Sequence, residues 1–165
     1  MGATLAPGDG PDDAGALPLV VRFSAPRAGA LSNGVVTRTA CGRRECHDAR
    51  MATTVVIVDD HASFRASVRQ LLESQGYEVL GEAANGLEAL QLVAELRPRL
   101  VLLDVQLPDI DGFEVTERLR ELADPPDVVL TSSRDDYASA VAGTGACGFI
   151  PKDGLSAAAL EALLA

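Results

Sequence analysis

Three aspartates, a threonine and a lysine stand where apolar runs stop. Asp59 and Asp60 follow Val55-Val56-Ile57-Val58, and Asp104 follows Leu100-Val101-Leu102-Leu103. Thr131, with Ser132 beside it, follows Val128-Val129-Leu130, and Lys152 follows Gly148-Phe149-Ile150-Pro151. An apolar core has no use for carboxylates there, because burying an unpaired charge is costly. Two carboxylates about 4 Å apart repel by roughly 4 kcal/mol at an effective dielectric near 20. Three together must hold protons or a hard cation. Oxygen ligands with room for water suit Mg²⁺, which commonly pairs carboxylates with a phosphate oxygen. A nearby ammonium and hydroxyl can hold the other oxygens of a transferring phosphoryl group. The carboxylate facing that group is a competent nucleophile and would form an acyl phosphate. Lys152 is the single lysine among the 14 basic residues, which marks it further.

The elements that must position these residues follow from periodicity. Val55–Val58 is a β-branched run, as expected of a strand buried on both faces. Phe64, Val68, Leu71 and Leu72 then fall at helical spacing, and Gly76 stops that helix. Tyr77–Ala83 reads as a second strand. Asn85, with Glu88 three residues on, opens a helix through Leu87, Leu90 and Ala94 that ends before Pro98. Leu100–Leu103 is a third strand, and Asp111 caps a helix carrying Phe113, Leu119 and Leu122. Pro125-Pro126 break that helix before the strand Val128–Leu130. A weaker helix is expected from Asp136 to Ala142, then a short strand Gly148–Ile150 and a helix Ala157–Ala165 capped by Ser156. Five strands alternating with five helices predict an α/β fold, a doubly wound five-stranded parallel sheet. In such sheets the functional crevice lies outside the carboxyl ends of the strands.

Charge and composition narrow the function. The chain has 24 Asp+Glu against 14 Lys+Arg, and nineteen of those acids with eight of the cations fall in residues 51–165. So acidic a domain should not bind nucleic acid by neutralising phosphates. No apolar run approaches the ~20 residues that span a bilayer, and Leu17–Val21 is too short for a signal peptide. Three cysteines are too few for a disulfide framework and fit a reducing, cytoplasmic setting. Residues 1–52 hold frequent Gly, Ala and Pro without a sustained period, and are expected to be disordered or to precede the true start at Met51. The functional domain is then residues 53–165.

With these residues in place, VVIVDDH, LLDVQLPDIDGFE, VVLTSS and GFIPKD resemble the four signature segments of receiver domains in two-component response regulators. Each segment is weak alone; in this order and at strand ends they are strong. The resemblance covers residues 53–165 and implies the (βα)5 flavodoxin-like receiver fold. VDDH and GFIPKD look most like the subfamily that usually carries a C-terminal helix-turn-helix effector, here without that effector. It implies phosphorelay signalling, with Asp104 as the phosphoacceptor for a sensor histidine kinase. Mg²⁺ would be held by Asp60 and Asp104, by Asp59 through water, and by the backbone carbonyl of Gln106. Thr131 and Lys152 would contact the phosphoryl oxygens, and Phe149 would be the aromatic that repositions on activation. The protein would then catalyse only its own aspartyl phosphorylation and dephosphorylation, and act on a downstream protein or through a phosphorylation-dependent dimer. It would neither bind DNA directly nor enter a membrane. Asp153 stands where many members have proline, and Phe149 lacks the hydroxyl that many members carry.

Plainer readings exist for each residue. Asp59-Asp60 alone would be a strand-to-helix cap, Thr131 a satisfied strand-end hydroxyl, and Phe149 a packing residue. Asp109 and Asp111 read as loop and cap, His61 as a loop or helix-start residue, and Cys147 as a small apolar filler. Cys41, Cys46 and His47 resemble half a zinc site without a second ligand pair. An aspartyl phosphohydrolase would want an acid two residues after its nucleophile, where this chain has Gln106. A nucleotide binder would want a glycine-rich loop after the first strand, where this chain has DDHASF.

Overall fold

The computed structural model describes residues 52–134, 137, 140, 141 and 143–164, and the backbone of 19–22 and 35–38. Its elements are β1 (Leu19–Arg22), β2 (Val35–Arg38), β3 (Thr54–Val58), α1 (Ala62–Ser74), β4 (Glu78–Ala83) and α2 (Gly86–Leu96). There follow β5 (Leu100–Asp104), α3 (Gly112–Arg120), β6 (Asp127–Ser132), β7 (Gly148–Pro151) and α4 (Ala157–Leu164). The strands lie side by side in the order β1-β2-β7-β6-β5-β3-β4. The five from β7 to β4 are mutually parallel.

The parallel core is the expected doubly wound sheet. Side chains alternate across each strand, so the sheet divides the interior into two clusters. Val55, Ile57, Leu100, Leu102, Val129 and Ile150 pack with Val68 and Leu72 of α1 and Leu160 and Leu163 of α4. Val56, Val58, Val101, Leu103, Leu130 and Phe149 pack on the other face with Ala89 and Val93 of α2 and Val115 and Leu119 of α3. Burial on both faces is why these strands are continuous apolar runs.

The punctuation acts as its residue types dictate. Gly76 takes φ +85° behind α1, and the Gly76 and Tyr77 N–H groups return to the carbonyls of Glu73 and Leu72. Asn85 accepts from the Glu88 N–H at 2.9 Å, while the Glu88 carboxylate accepts from the Ala84 N–H at 2.7 Å. Asp111 caps α3 by accepting from the Glu114 N–H at 2.8 Å. From β3 the chain steps outward to β4, then crosses back to β5. The reversal opens a crevice between β3 and β5 at their carboxyl ends.

The helix expected over Asp136–Ala142 lies mostly outside the described residues; among those described, the Ala140 N–H donates to the Tyr137 carbonyl at 2.9 Å, and Gly143 and Gly145 take positive φ. Two features differ from the sequence reading. The segment before Met51, expected to lack structure, supplies β1 and β2. The two pair antiparallel, and β2 pairs antiparallel with β7 through Thr37 opposite Phe149 and Arg38 opposite Gly148. Val20-Val21 and Val35-Val36 have the β-branched character for this, and the outer edge of β7 offers unpaired backbone groups. Finally, Cys147 is buried as expected of an apolar filler but is disulfide-bonded rather than a free thiol.

Candidate functional site

β3 and β5 end side by side, with Val58 opposite Leu103, so Asp59 and Asp104 emerge on the two sides of the crevice. Both are buried, and Asp60 is more open, with 39% of its side chain exposed. The next strand over, β6, sets Thr131 opposite Asp104, and β7 sets Ile150 opposite Thr131, which delivers Lys152 one residue beyond Pro151. The register therefore gathers residues separated by up to 93 positions, from Asp59 to Lys152, at one end of the sheet.

The Lys152 ammonium sits between the two buried acids, 2.5 Å from Asp59 Oδ2 and 2.7 Å from Asp104 Oδ2. Burial would lower the lysine pKa, but its hydrogen bonds to Asp104 and Asp59 raise it above the ordinary value. Burial pushes the Asp104 carboxyl up, and the opposing pull of Lys152 does not cancel that. Both directions have one cause. Two desolvated carboxylates share one cation, so the cluster favours any further positive charge.

The remaining oxygens are held from the backbone. Asp59 Oδ1 accepts from the His61 N–H at 2.8 Å, and Asp104 Oδ1 from the Gln106 N–H at 3.1 Å. Asp59 Oδ2 accepts no well-aligned hydrogen bond; its contact is the lysine ammonium. Carboxylate oxygens of Asp59, Asp60 and Asp104 and a nitrogen of His61 all come within 4.8 Å of one another. An oxygen-rich donor set and a deficit of positive charge together fit a hard divalent cation.

Glycine permits the close approach around Asp104. A Cβ on Gly112 would collide with the Asp104 backbone carbonyl and the Val105 backbone, so α3 could not start here with any other residue. The Gly112 N–H donates to the Val105 carbonyl at 2.9 Å, and the Val105 N–H to the Thr131 carbonyl at 2.9 Å.

Residues 55–164 match the response regulator receiver domain family. The chain belongs to that family. The transcription regulator BvgA of Bordetella pertussis is 39% identical over 104 residues, which are 62% of this chain and 50% of BvgA. The receiver domain of NarL from Mycobacterium tuberculosis is 35% identical and superposes with a TM-score of 0.62 over 69% of this chain and 94% of its own. The response regulator TrrA of Thermotoga maritima, in complex with Mg²⁺ and BeF, is 28% identical with a TM-score of 0.56, covering 60% of this chain and 85% of TrrA. The chain spans about half the length of the curated relatives it matches.

All the expected site residues of this receiver domain lie at one end of the sheet, with different degrees of contact. Asp59, Asp104 and Lys152 touch directly. Asp60 flanks them, and Gln106 donates its N–H to the Asp104 carboxylate. Thr131 is buried beside Asp104 in the ladder. Phe149, fully buried among the side chains of the α2–α3 face, lies opposite Leu130 and one register step from Thr131. Three neighbours escaped the sequence reading. The Phe64 ring lies 4.7 Å from Lys152 Nζ, a cation–π contact. Arg65 donates to the Asp59 carbonyl at 2.6 Å and reaches Glu82 at 3.1 Å. His61 Nδ1 lies 2.5 Å from Asp60 Oδ1. Helical spacing places Phe64 and Arg65 on α1, but nothing local says that this face of α1 meets the acid pocket.

Proposed function

We propose that this receiver domain takes a phosphoryl group from a sensor histidine kinase onto Asp104 and relays that state to a partner protein. The observation that carries the reading is the Lys152 ammonium bridging the buried carboxylates of Asp59 and Asp104 where β3, β5 and β7 converge. Asp59, Asp60, Asp104 and the Gln106 carbonyl would hold a Mg²⁺ ion, which would neutralise the phosphoryl oxygens as they approach the acids. The binding of Mg²⁺ and BeF by TrrA supports that assignment.

In the transfer, an Asp104 carboxylate oxygen forms a bond to phosphorus while the phosphorus–nitrogen bond of the donor phosphohistidine breaks. The electron pair leaves with the imidazole, so no proton need be removed from the nucleophile. Lys152 stays protonated, consistent with its raised pKa, and turns from the carboxylates to the new phosphoryl oxygens. Thr131 contributes its hydroxyl to the same oxygens. Its movement frees space beside Phe149 and so alters the face formed by β7 and its surroundings. Hydrolysis of the acyl phosphate resets the domain.

Acetyl phosphate and Mg²⁺ should shift the wild-type chain on a phosphate-affinity gel, and EDTA should abolish the shift. Asp104→Asn should not shift under any of these conditions. A shift that survives EDTA would overturn the reading.

A further inference from the structure

The loop between β5 and α3 carries Gln106, and its two ends are fixed close to the sheet. Between them, Asp109 makes the loop's hydrogen bonds to another element. Asp109 Oδ1 accepts from the Gly86 N–H and Oδ2 from the Leu87 N–H, both at 2.8 Å. These are the first two amides of α2, which have no partner within the helix. Asn85 takes the third, Glu88, at 2.9 Å. The cap of α2 is thus shared between its own Asn85 and a carboxylate 23 residues farther along the chain.

Charge and packing both favour this fork. Burial would raise the Asp109 carboxyl, but the backbone N–H groups of Gly86, Leu87 and Ile110 hold it below its ordinary value. It also faces the positive end of the α2 dipole. The adjoining Ile110 packs on Gly86 so closely that a Cβ there would overlap its side chain and that of Val115. A glycine that opens the space and a carboxylate that spans it make a strut from α2 to the loop.

We propose that Asp109 is a positioning residue that, through this strut, sets the Gln106 carbonyl against Asp104 for metal binding. The inference rests on the Mg²⁺ assignment made above. It makes Asp109 an outer support of the metal site, a class whose loss typically weakens metal affinity about 10- to 100-fold. Cutting the strut frees the middle of the loop while leaving Asp59, Asp60 and Asp104 in place.

Isothermal titration of Mg²⁺ into the full chain tests it, with Asn85→Ala as the comparison because that change uncaps the same helix without touching the loop. Asp109→Ala should raise the Mg²⁺ Kd about tenfold or more, and Asp109→Asn, which keeps one acceptor oxygen, should fall between it and wild type. At saturating Mg²⁺, acetyl phosphate should phosphorylate Asp109→Ala at close to the wild-type rate, so that the defect lies in metal affinity alone. Asn85→Ala should lower the melting temperature yet keep the wild-type Kd. An unchanged Kd in Asp109→Ala, or an equal weakening in Asn85→Ala, would overturn the proposal while leaving the metal site standing. A wild-type chain that does not bind Mg²⁺ would instead remove the metal assignment itself.

Discussion

At the scale of single residues, Lys152 offers the sharpest test, because two roles are assigned to one ammonium. Without metal it bridges the side-chain carboxylates of Asp59 and Asp104. Removing one partner of a buried pair costs on the order of 3 kcal/mol, so Lys152→Ala should lose about that much in urea denaturation with EDTA present. The loss should shrink at saturating Mg²⁺, which would neutralise the same carboxylates. Equal losses with and without Mg²⁺ would contradict the shared-pocket account. Glu82 makes a separate prediction about pH. Hydrogen bonds from Arg69 and Arg65 hold its pKa below the ordinary 4.5, despite opposing burial. A depressed folded pKa gives stability that is present above the unfolded value and lost as pH falls through the folded one. Glu82→Gln should therefore be less stable than wild type at neutral pH, and the gap should narrow below the unfolded pKa and close as pH falls through the folded one. A gap that persists unchanged to low pH would show that the Arg65–Glu82–Arg69 contacts contribute nothing by charge. Residues such as Asp104 and Lys152 were legible in the sequence because a charge at the tip of an apolar strand has no bland use. Arg65, Phe64 and Asp109 were not, since each acts on a different element at a distance that no local period encodes.

At the scale of elements, register is what turns scattered residues into a site. Thr131 faces Asp104 across β5 and β6, and β7 lies on the far side of Thr131 with Phe149 opposite Leu130. The switch proposed above requires that a displacement of the Thr131 hydroxyl toward Asp104 reach Phe149, one register step away in the α2–α3 cluster. Thr131→Ala should accept phosphate from a small donor yet lose most of the amide chemical-shift change around Phe149 on beryllofluoride titration. Equal shifts in mutant and wild type would break the coupling while leaving Asp104 as the acceptor. The inner parallel strands β3, β5 and β6 were plain in the sequence because burial on both faces favours unbroken apolar runs, and α2 was plain because Asn85 and Glu88 mark its start.

At the scale of the whole molecule, the sheet is longer than its functional core. Both described core clusters are built from residues 55–163, with packing neighbours no farther out than Leu164, while β1 and β2 add to the β7 edge through backbone pairing. Strands with only two or three consecutive apolar residues, set among Gly and Pro, carry too little periodicity to announce themselves, which is why the extension read as unstructured. A chain beginning at Met51 should keep cooperative unfolding and phosphorylation of Asp104, since it retains every residue of both described clusters, but should melt at a lower temperature, because no other cysteine remains to pair with Cys147. Its Gly148 and Phe149 amides should lose hydrogen-exchange protection as β2 is removed, and unaltered exchange there would show that the β2–β7 pairing is not formed in solution. The central claim, that this receiver domain is phosphorylated at Asp104 with Mg²⁺ as the required cation, has one direct test. The full chain would be incubated with acetyl phosphate with and without Mg²⁺, and the modified residue located by peptide mass spectrometry after borohydride trapping of the acyl phosphate. The account predicts a single Mg²⁺-dependent modification, on Asp104. A modification located on Asp59, Asp60 or His61, or one formed equally in EDTA, would contradict it.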